Sequence, residues 1–367
     1  MKKNSTVKQS PKRARVLARG PITIGLDLGD KTSRFCVLGE NGEVEAEGSV
    51  VTTKKGMAAK FGCLGRCRMA IEVGTHSPWL SRLLSSLGHE VIVANARQVR
   101  LISASSRKDD RIDAQTLARL ARVDPQLLRP IRHRGEKAQQ DLLVVRVRSA
   151  LVEARTSLVN AARGLAKAMG ERLPSCDAGS LGVERLESLP EKLREPLRPL
   201  LQEVESLTEK IQELDQKVEQ IARTEYPETQ LLRQVSGVGP LIALTFVLTL
   251  EDRDRFEKSR DVGCYVGLRP KRSESGESPP QLRITKEGDI YLRKLLVQGA
   301  HCILSRRGPD TDLKRWGLKL AERGGKNAKK RAVVAVARKL AVLLHRLWVT
   351  GEVYEPLRNS AAKKAAA

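Results

Sequence analysis

The sequence predicts a mixed α/β domain followed by a helical half. Two patterns carry this. From Thr23 to about residue 94, short runs rich in β-branched residues alternate first with turns and then with amphipathic stretches; from residue 136 onward, apolar residues recur three and four apart. Size is consistent with both. At about 150 residues per domain, 367 residues give two domains and room for an extra element, and a 40% apolar content supplies real cores.

The elements follow in order. Residues 1–20 hold seven Lys and Arg and no Asp or Glu, the composition of a disordered basic arm. Residues 22–28, 33–38 and 44–52 read as three strands. The last two are joined by Glu40-Asn41-Gly42-Glu43, whose Asn-Gly tolerates positive φ and signals a hairpin. A helix over 54–64, a strand over 68–72, a helix over 78–87, a strand over 90–94 and a helix over 110–122 follow. The order βββαβαβα matches the ribonuclease H-like fold and places the first strand beside the fourth.

Residues 136–226 carry two heptad seams. Val144, Val147, Leu151, Ala154, Leu158, Ala161, Leu165 and Ala168 form one; Leu197, Leu200, Val204, Leu207, Ile211, Leu214, Val218 and Ile221 form the other. Pro174, Gly179, Gly182 and Pro190 interrupt them, so the two helices can fold back as an antiparallel coiled coil or pair with another subunit. Residues 229–350 read as helical. They open with Val235-Ser236-Gly237-Val238-Gly239-Pro240 between apolar stretches, a helix-hairpin-helix pattern in which Gly237 and Gly239 would expose backbone N–H groups to a phosphate. Arg323, Lys326, Lys329, Lys330 and Arg331 precede the last apolar helix and add a basic surface. The domain division is therefore 1–20 basic arm, 21–130 catalytic α/β domain, 131–228 coiled-coil region, 229–352 helical domain and 353–367 flexible tail.

Composition narrows the function. A formal net charge of +24 makes polyanions the expected partners, because phosphates relieve the self-repulsion of so many cations. DNA leads that class. Aromatics are only 3%, so stacking on aromatic platforms is a minor mode. The longest apolar stretch, residues 241–250, is far short of the roughly 20 residues that span a bilayer, and no signal-peptide pattern opens the chain. A cytoplasmic, nucleoid-associated protein is expected. The six scattered cysteines read as reduced thiols, the Cys63 and Cys67 pair included.

Carboxylates inside apolar strands need a reason in so basic a chain. Asp27 lies in the first strand and Glu72 ends the fourth, so the two can meet. Asp110 and Asp113 are three apart at a helix start, on one face and where the helix dipole favours anions. Four converging carboxylates repel unless a divalent cation neutralises them, which implies Mg²⁺ or Mn²⁺ and phosphoryl transfer. Asp109 rivals Asp110, but helical facing favours Asp110.

These residues resemble a known family. Gly25-Leu26-Asp27-Leu28-Gly29, Ile71-Glu72-Val73-Gly74 with Trp79, and Asp110-Arg111-Ile112-Asp113-Ala114 look like the DEDD domain of insertion-sequence transposases related to Piv-type DNA invertases. The second half agrees through Val235 to Pro240, Tyr265-Val266-Gly267-Leu268-Arg269-Pro270, Ser275-Gly276 and Ile284-Thr285-Lys286-Glu287-Gly288-Asp289. The resemblance implies a RuvC-like metal-dependent recombinase with Asp27, Glu72, Asp110 and Asp113 as catalytic metal ligands. It also implies a nucleophilic serine, Ser275 with Ser273 as rival, a homo-oligomer (dimer or tetramer) acting on donor and target DNA, and a structured bridge RNA as guide. Lys271, Arg272, Lys286 and Arg293, near the serine, are candidate nucleic-acid contacts beside Gly237 and Gly239. A metal-dependent junction nuclease or an invertase without guide RNA is the alternative.

Overall fold

The computed structural model describes residues 22–95, 110–271 and 282–358, with the backbone alone at Asp110 and Arg111. It divides into two compact units, Met1–Arg134 and Gly135–Ala367.

The first unit is built on a five-stranded sheet of order β3-β2-β1-β4-β5. Strands β1 (Thr23–Asp27), β2 (Thr32–Leu38) and β3 (Val44–Val51) are antiparallel, while β4 (Arg68–Glu72) and β5 (Glu90–Ala94) continue parallel to β1. The expected neighbourhood of β1 and β4 is present. The Asn-Gly turn closes as anticipated, with Gly42 at φ +80° and Glu43 N–H donating to Asn41 Oδ1. Side chains alternate across the sheet. Ile24, Leu26, Met69 and Ile71 pack on one face with Met57 and Phe61 of α1 (Lys54–Phe61) and Leu80 and Leu84 of α2 (Ser77–Ser86). The opposite face presents Gly25, Cys36 and Ala70, and α3 (Asp110–Val123) covers it through Ala114, Leu117, Ala118 and Ala121. Small residues on both partners let this helix lie close to the strands.

The second unit is helical. Helices α4 (Glu136–Ala168) and α5 (Glu191–Thr224) run antiparallel, as the pairings of Lys137 with Glu225, Arg148 with Asp215 and Arg155 with Thr208 require. The seam expected on α5 is largely buried, but that on α4 is rotated by one residue. Val145, Val159, Ala162 and Ala166 are buried, whereas Leu165 is 54% and Val147 43% exposed. Residues 142–166 carry two overlapping apolar stripes, and Arg148 and Arg155 flank only the buried one, where they meet polar partners on α5. Polar pairing thus selects the rotation.

Short α6 (Glu228–Leu232) and α7 (Pro240–Leu250) follow, then α8 (Arg260–Tyr265), α9 (Ile290–Leu304), α10 (Asp312–Glu322) and α11 (Ala328–Thr350). Helix α7 is buried from Ile242 through Leu250 and forms the centre of a core shared with α9, α11 and the near ends of α4 and α5. No helix of the described residues is long and apolar enough to cross a membrane.

Candidate active site

Parity and register build the carboxylate cluster. Asp27 is two residues beyond Gly25 and Glu72 two beyond Ala70, so both carboxylates point to the face that α3 covers. The pairing of Leu26 with Ile71 places the next residues, Asp27 and Glu72, side by side at the carboxyl ends of two parallel strands. Helix α3 brings the third member. A Cβ added at Gly25 would lie 2.0 Å from the Ala114 carbonyl oxygen and 2.5 Å from the Ala118 nitrogen, so backbone rests directly on backbone one residue after Asp113. Burial holds the Glu72 carboxyl above its ordinary range, and the negative charge of Asp113 pushes it the same way. Glu72 and Asp113 therefore share one field. Asp110 opens α3 as the sequence indicated, but its side chain lies outside the described residues, as do Asp109, Arg272, Ser273 and Ser275. Among the described residues no group of three His, Cys, Asp or Glu side chains is placed to hold an ion.

The segment bearing Ser275 leaves a short antiparallel stem. Pro270 bridges Ile284, Lys271 N–H donates to Arg283 O at 2.9 Å, and Thr285 N–H to Arg269 O at 2.9 Å. Lys271 and Lys286 are exposed on this stem and its continuation. Arg293 differs from its expected role. It is 9% exposed, and its guanidinium donates to the carbonyls of Val266 at 2.9 Å and Glu287 at 2.7 Å, so it braces the backbone beneath the stem. The two glycines of the Val235–Pro240 turn also divide. Gly237, at φ +83°, would place a Cβ 2.9 Å from Gly299 O and serves the packing against α9, whereas Gly239 faces open space at the start of α7.

Two family models match the chain. One for the IS110 DEDD transposases, described as "Transposase", covers residues 24–169, and "Transposase IS116/IS110/IS902 family" covers residues 229–314. The chain is 30% identical over 305 residues to the putative transposase y4pF/y4sB of Sinorhizobium fredii, spanning 80% of this chain and 76% of that protein. It is 31% identical over 261 residues to the transposase for insertion sequence element IS1111A of Coxiella burnetii, 68% and 69% of the two chains. A probable family 20 transposase of Pseudomonas aeruginosa is 29% identical over 304 residues, 81% and 88%. The chain belongs to the IS110/IS116 family of DEDD transposases. It is thus a DNA-cleaving and recombining enzyme, and the DEDD match takes in the mixed sheet and runs on into α4.

The transposase also holds residues near the carboxylates that the sequence did not mark. Asp30, three residues after Asp27, meets His76, four residues after Glu72, with Oδ1 3.5 Å from Nε2. Trp79 Nε1–H donates to His76 Nδ1 at 3.1 Å, so the ring of this transposase histidine carries its proton on Nε2, toward Asp30. Ser77 Oγ–H donates to Gly74 O at 2.8 Å and receives a bond from His133 Nε2 at 2.9 Å, pinning the turn after β4. The only sequence signal for Asp30 and His76 is their short offset from the strand-end carboxylates. Cys67 meets His89 Nδ1 at 3.3 Å; burial pushes its thiol up to about 11, which keeps it a neutral thiol.

Proposed function

We propose that the chain catalyses metal-dependent cleavage and exchange of DNA strands for a mobile insertion sequence, with a serine nucleophile and a bridge RNA that selects the sites. The observation that carries this is the meeting of Asp27 and Glu72 at neighbouring strand ends with the start of α3 packed on Gly25, where burial and the Asp113 charge both raise Glu72. Such like-charge crowding at the carboxyl edge of a parallel strand pair disfavours the fully ionised state unless a cation is bound. The donors are all carboxylate oxygens, which suits a hard divalent ion. Asp27, Glu72, Asp110 and Asp113 would hold Mg²⁺ or Mn²⁺, which when bound offsets charge building on the phosphate.

The remaining roles belong to the helical half. Ser275 Oγ attacks a DNA phosphorus; an Oγ–P bond replaces a P–O bond of the strand, and the released hydroxyl takes the proton. The phosphoserine conserves the ester for rejoining. Lys271, Lys286 and, in the serine segment, Arg272 stand near enough in sequence to offset the developing charge. Gly239, at the open start of α7, suits a backbone contact to phosphate in a helix-hairpin-helix role. The α4–α5 pair is read as a coiled coil, and the exposed stripe on α4 supports assembly with a second copy. The working division remains 21–130 for the RuvC-like catalytic domain, 131–228 for the coiled coil and 229–352 for the serine-bearing domain, acting on the nucleoid in the cytoplasm.

The test uses the full chain, its flanking element DNA and co-purified RNA. Expected are strand exchange that requires Mg²⁺ or Mn²⁺, a covalent protein–DNA adduct lost in Ser275→Ala, no product from Asp27→Asn, and a discrete RNA encoded beside the gene. Nicking retained by Ser275→Ala with no adduct in the parent would instead indicate a junction nuclease. Exchange without any discrete RNA would indicate a direct-reading invertase.

A further inference from the structure

The helical unit carries a groove of about 1950 Å³ that neither the carboxylates nor the serine account for. It is lined by α10, α11, residues 352–358 and the stem residues Pro270 and Ile284. Its lining is mostly apolar and partly open to solvent: Leu318 is 40% and Val353 72% exposed. Along it stand Arg283, Lys319, Arg323, Lys330 and Arg338. Asp312, Glu322, Glu352 and Glu355 also line the groove, yet none of these five cations has a carboxylate partner among the described residues, and Glu352 is paired with Arg346 at 3.2 Å and Arg358 at 3.0 Å. A run of unpaired cations beside an apolar surface is electrostatically incomplete. The unit therefore presents two chemistries together: repeated anions for the cations and flat apolar matter for the floor.

We propose that this groove binds an unpaired nucleic-acid strand, with phosphates against the cations and sugars and bases over the apolar lining. A duplex hides its bases and needs no apolar floor, and repeated phosphates match five spaced cations better than the scattered carboxylates of a peptide. Lys339 Nζ lies 4.0 Å from the ring centroid of Trp316, so that aromatic face already carries a cation and apolar contact dominates over stacking. The proposal deepens the transposase reading, in which strands part during exchange, and rests on it for the identity of the strand. It does not depend on Ser275.

Fluorescence anisotropy on the full-length protein tests it, with a labelled pyrimidine oligonucleotide, the matching duplex and poly-glutamate as probes. Lys319→Gln with Arg323→Gln and Lys330→Gln, all exposed, leaves the fold intact and removes three contacts. At about 0.7 per phosphate on a single strand, the log–log salt slope falls by about 2, and affinity drops by about tenfold or more at moderate salt. Leu318→Asp weakens the single strand at least about fivefold and leaves duplex binding unchanged. An unchanged salt slope in the triple variant, or equal loss of strand and duplex in Leu318→Asp, overturns the proposal. Tighter binding of poly-glutamate than of the strand, lost in Leu318→Asp, would assign the groove to an acidic peptide. Ser275→Ala must bind the strand like the parent, so recombination surviving in that variant would refute the nucleophile and leave the groove standing.

Discussion

Replacing Gly25 by Ala adds one methyl where the structure has no room for it. The new Cβ would sit 2.0 Å from Ala114 O and 2.5 Å from Ala118 N, both backbone atoms of α3 that no rotamer change can move. To restore ordinary contact at about 3.4 Å, the helix must retreat by about 1.4 Å. Overpacking of this kind costs about 1–3 kcal/mol, which for a unit of this size lowers the melting temperature by several degrees. The same retreat carries Asp113 away from Glu72, and a misplacement of about 1 Å in a catalytic constellation costs on the order of 10²-fold in rate. The assay pairs calorimetry with Mg²⁺-dependent cleavage of element-end DNA. Gly65→Ala is the control, because nothing lies within 4 Å of its added Cβ. A Gly25→Ala protein that melts and cleaves like the parent would refute the claim that backbone-on-backbone packing sets the position of Asp113.

Three more predictions concern charge, pH and the helix pair. Glu72→Gln removes a carboxylate that burial and Asp113 both disfavour, so in chelator at neutral pH its melting temperature rises above the parent's while cleavage falls by about 10²-fold or more; a lower melting temperature would show that Glu72 is stabilised by a partner instead. His345 is fully buried, accepts from Ser259 Oγ at Nδ1 (3.0 Å) and donates from Nε2 to Arg253 O (2.9 Å), and burial lowers its pKa below 6.5. The folded state then binds fewer protons than the unfolded one, so stability is full above pH 6.5 and falls as pH drops below it, by at most about 1.4 kcal/mol per pH unit for this group; urea titrations from pH 7 to 5 on the parent and His345→Asn read the slope, which flattens in the variant. On α4, Leu165→Glu leaves the melting temperature within about 1 °C but weakens self-association in sedimentation, whereas Val159→Asp in the buried seam unfolds the helix pair; equal stability losses would place the seam where the heptads alone put it.

The sheet was legible because its signals are local. Strand β4 spans Arg68–Glu72 as read, the Asn-Gly turn closes the hairpin, and α3 begins at Asp110. Asp27 and Glu72 could be paired from strand order alone, and Asp113 from helical facing. What the sequence did not disclose depends on contacts between distant segments. The rotation of α4 is decided by Arg148 with Asp215, 67 residues apart. Asp30 and His76 meet only because β1 and β4 are neighbours. Arg293 looks like a phosphate contact when written in a row, yet the carbonyls of Val266 and Glu287 claim its guanidinium.

The position of the carboxylates places them on a rigid support. Asp27 and Glu72 stand at the ends of two central strands whose preceding residues, Leu26 and Ile71, are fully buried, so neither backbone can drift without opening the core. Asp113 is fixed from the other side by the contact of Ala114 and Ala118 with Gly25. The backbones that carry Glu72 and Asp113 are held by the core, so the two charges stay close and disfavour ionisation of Glu72 beside its burial. A site on flexible loops would let its charges separate. The small residues Gly25, Ala70, Ala114 and Ala118 thus set the spacing of the acids, since enlarging any of them acts on the charges through distance.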